Sequence, residues 1–215
     1  KPGCPVCMSG NVGILDMATA LMAFGAPEGS LGLAAQTQVA QSFGLPTWGL
    51  AGATDSKVLD AQAGLESAFN ILAQGLAGIN LIHDVGYMDM GMVCSTEMLV
   101  MGNEIVGMAK RFLRGIEVTP ETLARELIEK VGPGGHFLDQ NHTYDHFKSE
   151  LWMPGLMTRS AGEDWKSQGA KDLATRIQEQ LEDIVNNHEA PALPTNTLTA
   201  LKTIRQKGEK ELVKS

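Results

Sequence analysis

The chain has 215 residues, 43% of them hydrophobic and 20% charged, with a formal net charge of −8. This is the composition of an ordinary globular protein of one large domain, or one domain with an extension. The acidic balance without a basic stripe excludes nucleic acid as the main partner, no apolar run is long enough to span a membrane, and three cysteines make no disulfide framework. With no signal-peptide pattern, the expected location is the cytoplasm.

In chain order, Pro5 to Ser9 reads as a short strand leading into the loop Gly10–Gly13. A strand so close to Lys1, in a chain that lacks an initial Met, reads as part of a longer protein. Met17 to Phe24 is apolar and predicted helical or tightly turned. Pro27 then opens a helix that runs to about Phe43, with Gly44 as its stop.

The stretch Leu45 to Met92 organises the chain. Leu45–Ala51 is a short apolar run that fits a strand buried on both faces. Ala53-Thr54-Asp55-Ser56 offers good N-cap residues. From Val58, apolar residues recur at Ala61, Leu65, Phe69, Leu72 and Leu76, the spacing of one buried helix face. Gly75 and Gly78 close that helix, and Ile79–Ile82 starts a second strand. The unit is β-α-β, so its strands should be parallel. Function in parallel sheets gathers at the carboxyl ends of the strands. One loop leaving such an end carries Thr54, Asp55 and Ser56; the other carries His83, Asp84, Gly86 and Tyr87, then Met88 to Met92. For each residue the plainer reading is structural: Asp55 and Ser56 cap a helix, and His83 and Asp84 satisfy nearby backbone.

Ser95 or Thr96 caps a long helix that carries Met98, Met101, Ile105 and Phe112, with basic residues in its last turns and Gly115 at its end. Three strand-loop-helix units in succession predict a parallel α/β architecture over 1–117. Beyond it, Thr119-Pro120 opens a helix through Lys130 with a Leu123-Leu127-Ile128 face, and residues 131–137 form a glycine-rich turn. Helices follow from His142, from about Glu163 with a Leu173-Ile177-Leu181-Ile184 stripe, and from Leu198 to about Val213. Residues 118–215 therefore read as a helical extension packed on a barrel.

Several motifs have plainer explanations. Cys4 and Cys7 have redox or half-zinc spacing, but a strand runs through them and Cys94 stands apart. His142 and His146 could share a helix face without the glutamate of a zinc-protease motif. The Met clusters read as core filler, and no metal is expected.

The segments TDSKVLDAQAG, INLIHDVGYMDMGM, EIVGMAKRFLRGIEV and VGPGGHFLDQNHT resemble the trimethylamine methyltransferase (MttB) superfamily across nearly the whole chain. The resemblance implies the C-terminal part of a (β/α)8 TIM barrel, and methyl transfer from a methylated amine to the Co(I) of a separate corrinoid (cobalamin) protein. No tightly bound cofactor is implied. The sequence holds only standard residues, which places it in the branch without pyrrolysine, whose members demethylate quaternary amines such as glycine betaine. In that reading Trp48 and Tyr87 make cation–π contact with the ammonium. The betaine carboxylate is met by His83 or by amides at the helix start near Ser56, where Asp55 competes for the same donors. His83, Asp84 and Tyr87 are then the candidate catalytic residues, and Trp48, Thr54, Asp55, Ser56 and Gly86 the candidate substrate-binding ones. Half a barrel exposes two sheet edges, so a homo-oligomer is expected. Two alternatives stand beside this: a non-catalytic fragment or interaction module, and an unrelated barrel enzyme acting on a small acid with His83 as base and Asp84 orienting it.

Overall fold

The computed structural model of the protein describes residues 3–212; Lys1, Pro2 and the expected helix end at Val213 lie outside them. In chain order come β1 (Met8–Ser9), a hairpin of β2 (Ile14–Leu15) and β3 (Met22–Ala23), and α1 (Pro27–Ser42). Next are β4 (Thr47–Leu50), α2 (Ala61–Ala77), β5 (Leu81–His83), a second hairpin of β6 (Tyr87–Met88) and β7 (Val93–Cys94), and α3 (Thr96–Leu113). Strands β1, β4 and β5 form one parallel sheet in that order, with Trp48 opposite Leu81 and Leu50 opposite His83. The β-α-β unit therefore forms with parallel strands, within a mixed, helix-dominated α/β architecture.

Local chemistry explains where elements begin and where expectation fails. Helix α1 starts at Pro27 and gives way to Gly44 in the left-handed region at φ +66°, as its sequence predicts. Residues 17–24 take the turned alternative and enter β3; no helix forms there. The Asp16 carboxylate accepts the Ala18 and Thr19 amides at 2.8 Å each, and this Asx turn overrides the apolar composition. Ser95 caps α3 by accepting the Met98 amide at 3.0 Å.

Helix α2 corrects the sequence reading twice. Its N-cap is Asp60, which accepts the Ala63 amide at 3.1 Å, so Thr54, Asp55 and Ser56 lie well before the helix. Its buried face is Ala63, Ser67, Asn70, Ile71 and Gln74, whereas the expected stripe of Val58, Leu65, Phe69 and Leu76 is exposed. On this face Ala63 and Ile71 join the core, Asn70 bonds the backbone of the loop after β4, and Gln74 donates to the Ser30 carbonyl of α1. The outward apolar residues Leu65, Phe69 and Leu72 line an open groove with Met108 and Phe112 of α3.

The main core joins Ala63 and Ile71 of α2, Met88, and Met98, Met101, Ile105 and Ala109 of α3 with Leu156 and Ile177 from later in the chain. Met88, Met98 and Met101 are thus core residues, while Met92 and Met108 are exposed. By compactness the chain divides into two units at Leu181/Glu182.

The first unit continues through α4 (Pro120–Leu123), α5 (Arg125–Val131), α6 (Asn141–Glu150), α7 (Gly162–Ser167) and most of α8 (Leu173–Asn187). The single helix expected over 120–130 is broken at Ala124, which sits at φ +46°, and Leu123 and Ile128 are exposed. The second unit contains the end of α8 and α9 (Thr195–Leu212), a helix with exposed faces and i,i+4 pairs Arg205–Glu209 and Lys207–Glu211.

Glu104 is the buried carboxylate of the first unit. It accepts the amides of Gly155, Leu156 and Met157 at 3.2, 2.9 and 3.1 Å. Glu104→Ala strands these donors, Leu156 among them fully buried, and should cost about 3 kcal/mol of unfolding free energy by urea titration. Glu104→Gln, which keeps an acceptor, should cost clearly less.

The cap at Asp60 gives a pH dependence. The Ala63 amide, then the Ser56 hydroxyl, hold its carboxyl below the ordinary value. A lowered folded pKa contributes stability above the ordinary carboxylate range, and that contribution is lost as pH falls through the folded value. Asp60→Asn should therefore flatten the acid limb of a pH–stability curve measured by circular dichroism.

Candidate functional site

The loops leaving β4 and β5 run side by side and bond to each other. The Ala51 amide donates to the His83 carbonyl (3.1 Å), the Thr54 amide to the Tyr87 carbonyl (3.0 Å) and the Asp89 amide to the Ser56 carbonyl (3.0 Å). This irregular ladder continues the parallel pairing past the strand ends. It gathers residues from both loops at the end of the sheet where α/β proteins keep their sites. The second loop is strained: Asp84, Asp89 and Met90 have φ of +75°, +49° and +56°. Such non-glycine residues cluster at functional sites. Gly86, at φ +97°, has Leu99 Cβ 3.3 Å from where its own Cβ would lie, so it serves as a spacer for close packing.

The structure separates the sequence-predicted residues into two groups. Trp48 and His83 form a T-shaped pair with centroids 5.4 Å apart, and His83 Nδ1 lies 2.8 Å from Asp84 Oδ1. Trp48 is 47% and Tyr87 39% exposed, so both rings offer open surface. Thr54 and Ser56 are buried. The Thr54 hydroxyl donates to Glu66 Oε2 at 2.6 Å and accepts the Ser56 amide at 3.0 Å, while the Ser56 hydroxyl is within bonding distance of Asp60 and the Val58 carbonyl. Asp55 accepts the amides of Phe24 and Gly25 at 2.9 and 3.0 Å, tying the β2–β3 hairpin to the site. The expected anion-binding amides near Ser56 are engaged: Ser56 donates to Thr54, Asp55 donates to Glu66, and the helix begins at Ala61.

Two anchoring residues escaped the sequence reading. Asn70 accepts the Gly52 amide at 2.6 Å and donates to the Ala53 carbonyl at 2.9 Å. Glu66 receives Thr54, Asp55 and Gln62. The available signal was the recurrence of Ala63, Ser67, Asn70 and Gln74 at helical spacing, a small and polar stripe where one face of α2 had to be buried.

The remaining motifs lie elsewhere. His142 and His146 stack at 4.4 Å; their Nε2 atoms lie 2.9 Å from the Glu121 carbonyl and 3.3 Å from its carboxylate, respectively. Cys4, Cys7 and Cys94 are exposed free thiols. Among the described residues no group of three or more His, Cys, Asp or Glu could hold a metal, and no helix is long and apolar enough to cross a membrane.

A parallel β-α-β core with aromatic and titratable side chains at its strand ends has the layout of an α/β enzyme. Comparison with known proteins makes the class specific. The sequence model of the trimethylamine methyltransferase (MTTB) family matches residues 1–212, and the chain belongs to that family. It is 35% identical over 211 residues to a glycine betaine methyltransferase of Desulfitobacterium hafniense, covering 97% of this chain and 44% of that protein. It is 36% identical over 212 residues to the trimethylamine methyltransferase MttB2 of Methanosarcina mazei, covering 97% of this chain and 42% of the relative. The chain thus spans less than half the length of these relatives. Membership displaces the reading as an unrelated barrel enzyme acting on a small acid.

If Asp55 is the tie between the site loop and the β2–β3 hairpin, Asp55→Ala should raise amide exchange at Phe24 and Gly25 selectively. Unchanged protection there would rule the tie out.

Proposed function

We propose that this chain forms the last β/α units of a (β/α)8 barrel that moves a methyl group from a quaternary methylated amine, of the glycine betaine kind, to a separate corrinoid protein. Membership of a family whose matched relatives are named as glycine betaine and trimethylamine methyltransferases supports it. The observation that carries the reading is the half-exposed Trp48 ring of β4 packed edge-on against His83 at the end of β5, with the half-exposed Tyr87 in the loop that follows. The similarity to a protein named as a glycine betaine methyltransferase supports the quaternary substrate.

The methyl acceptor is the Co(I) of the partner's corrinoid, which supplies the nucleophile. A quaternary ammonium leaves as a neutral tertiary amine, so neither a general acid nor a protein nucleophile is required. The protein's tasks are to hold the N-methyl group in line and to exclude water. Positive charge on nitrogen fades in the transition state, so a tight carboxylate contact would favour the ground state. Aromatic faces such as Trp48 and Tyr87 bind the cation more softly. Asp84 fits this division of labour because its carboxylate is engaged with His83 Nδ1. It fixes the ring so that Nε2 can serve the substrate; in the protonated form that nitrogen donates to a betaine carboxylate.

The test is methyl transfer to a corrinoid partner by the intact enzyme, across glycine betaine, carboxylate-free quaternary amines and trimethylamine. Tyr87→Ala or Trp48→Ala should lower kcat/KM about tenfold, the scale of one cation–π contact. His83→Ala should penalise betaine more than tetramethylammonium. Equal loss on both would remove the carboxylate role, and turnover of trimethylamine alone would overturn the quaternary substrate.

A further inference from the structure

We infer that Glu66 is a positioning residue for this site: acting through the buried Thr54, its carboxylate fixes where Tyr87 stands. The inference rests on the methyl-transfer reading given above.

Glu66 projects from the middle of α2 and belongs to neither core cluster. Its Oε2 accepts the Thr54 hydroxyl at 2.6 Å and the Asp55 amide at 2.8 Å; its Oε1 accepts Gln62 Nε2 at 2.8 Å. Thr54 is fully buried and cannot touch a substrate, yet its amide holds the Tyr87 carbonyl at 3.0 Å. Asp55, bonded to the same Glu66 oxygen, holds the end of the β2–β3 hairpin through Phe24 and Gly25. Gly25 lies flat against the carboxylate: a Cβ there would come within 2.3 Å of Glu66 Cδ. One oxygen therefore holds two adjacent residues of the loop after β4, and these in turn bond to Tyr87 and to the end of the β2–β3 hairpin. Hydrogen bonds to an ionised acceptor are the stronger kind, and here they fix two neighbouring residues of one turn.

Within its own segment Tyr87 is held opposite Cys94 in the β6–β7 hairpin and by its amide to the Asp84 carbonyl at 3.2 Å; its position relative to the loop after β4 depends on the ladder. The pairing partners across the ladder are Ala51, Thr54 and Ser56, and Thr54 contributes the bond at Tyr87. Without the carboxylate, the Thr54 hydroxyl and the Asp55 amide lose their acceptor, and the turn that places Tyr87 can shift. Small displacements of positioning groups are costly in a reaction whose catalysis is alignment.

The experiment compares Glu66→Ala, Glu66→Gln, Gly25→Ala and Tyr87→Ala in the intact enzyme, reading KM for the quaternary amine and kcat separately, with melting temperature alongside. Glu66→Ala should raise KM about tenfold and lower kcat as well, as misplacement of a binding group does. Glu66→Gln should restore most of both, because its carbonyl can accept Thr54 and Asp55 while Gln62 turns its own oxygen toward the new amide. Gly25→Ala should reproduce the Glu66→Ala kinetics by displacing the carboxylate, and it keeps the test available if Glu66→Ala folds poorly. Wild-type kinetics in both Glu66→Ala and Gly25→Ala, with Tyr87→Ala impaired, would overturn the inference and leave the site reading standing. A Glu66→Gln variant as impaired as Glu66→Ala would also overturn it. Wild-type kinetics in Tyr87→Ala would instead overturn the site reading on which it rests.

Discussion

Backbone polarity governs this structure at the point where β4 and β5 end. Two loops leave the parallel strands together, much of one is buried, and each amide and carbonyl removed from water needs a partner. Some find it across the ladder from Ala51 to His83, Thr54 to Tyr87 and Asp89 to Ser56. The rest find it on α2, where Asn70 serves both Gly52 and Ala53. Gln74, one turn on, donates to the Ser30 carbonyl of α1, so the same helix face also ties down its neighbour. The face is not fully satisfied within the protein: Ser67 Oγ and Gln74 Oε1 are buried without a partner. The buried face of α2 thus mixes hydrogen bonds with apolar packing, while Leu65, Phe69 and Leu76 are exposed.

That mixed face illustrates what could be read from the sequence and what could not. Features fixed by one or two residues in sequence were legible: Pro27 at the start of α1, Gly44 after it, the Ser95 cap and the parallel β-α-β order. Features set by partners distant in sequence were not. Thr54, Asp55 and Ser56 have the composition of a helix cap, yet they bond to Glu66, Phe24, Gly25 and Asp89, and the cap passes to Asp60. The two hairpins also escaped notice, because strands of two residues leave no period to detect, and an Asx turn at Asp16 outweighs eight apolar-rich residues. The strand-end rule pointed to two loops that the structure places side by side. Which side chains face outward and which sit beneath depended on contacts invisible at that stage.

On the proposed reading, the acidic residues of the two loops would lie near a cationic substrate, and each is engaged within the protein. Asp84 is paired with His83, Asp55 with two amides, Asp60 with its own helix, and Asp89 with Lys57 at 3.4 Å. Each carboxylate already has a partner in the protein, so none is free to clamp an ammonium as a bare counter-ion. The proposed substrate would then meet the aromatic rings, which make the softer contact.

The Glu104 latch has an evolutionary consequence. It joins α3 to Gly155, Leu156 and Met157 through one side chain and three backbone amides. Any residue except proline supplies the amide, so side chains at 155 and 157 can drift freely while position 104 cannot. In homologues an acceptor should then be kept at 104 while the side chains of its partners vary independently of it. Methods that infer proximity from correlated substitution would miss this contact, although it is among the longest-range in the first unit.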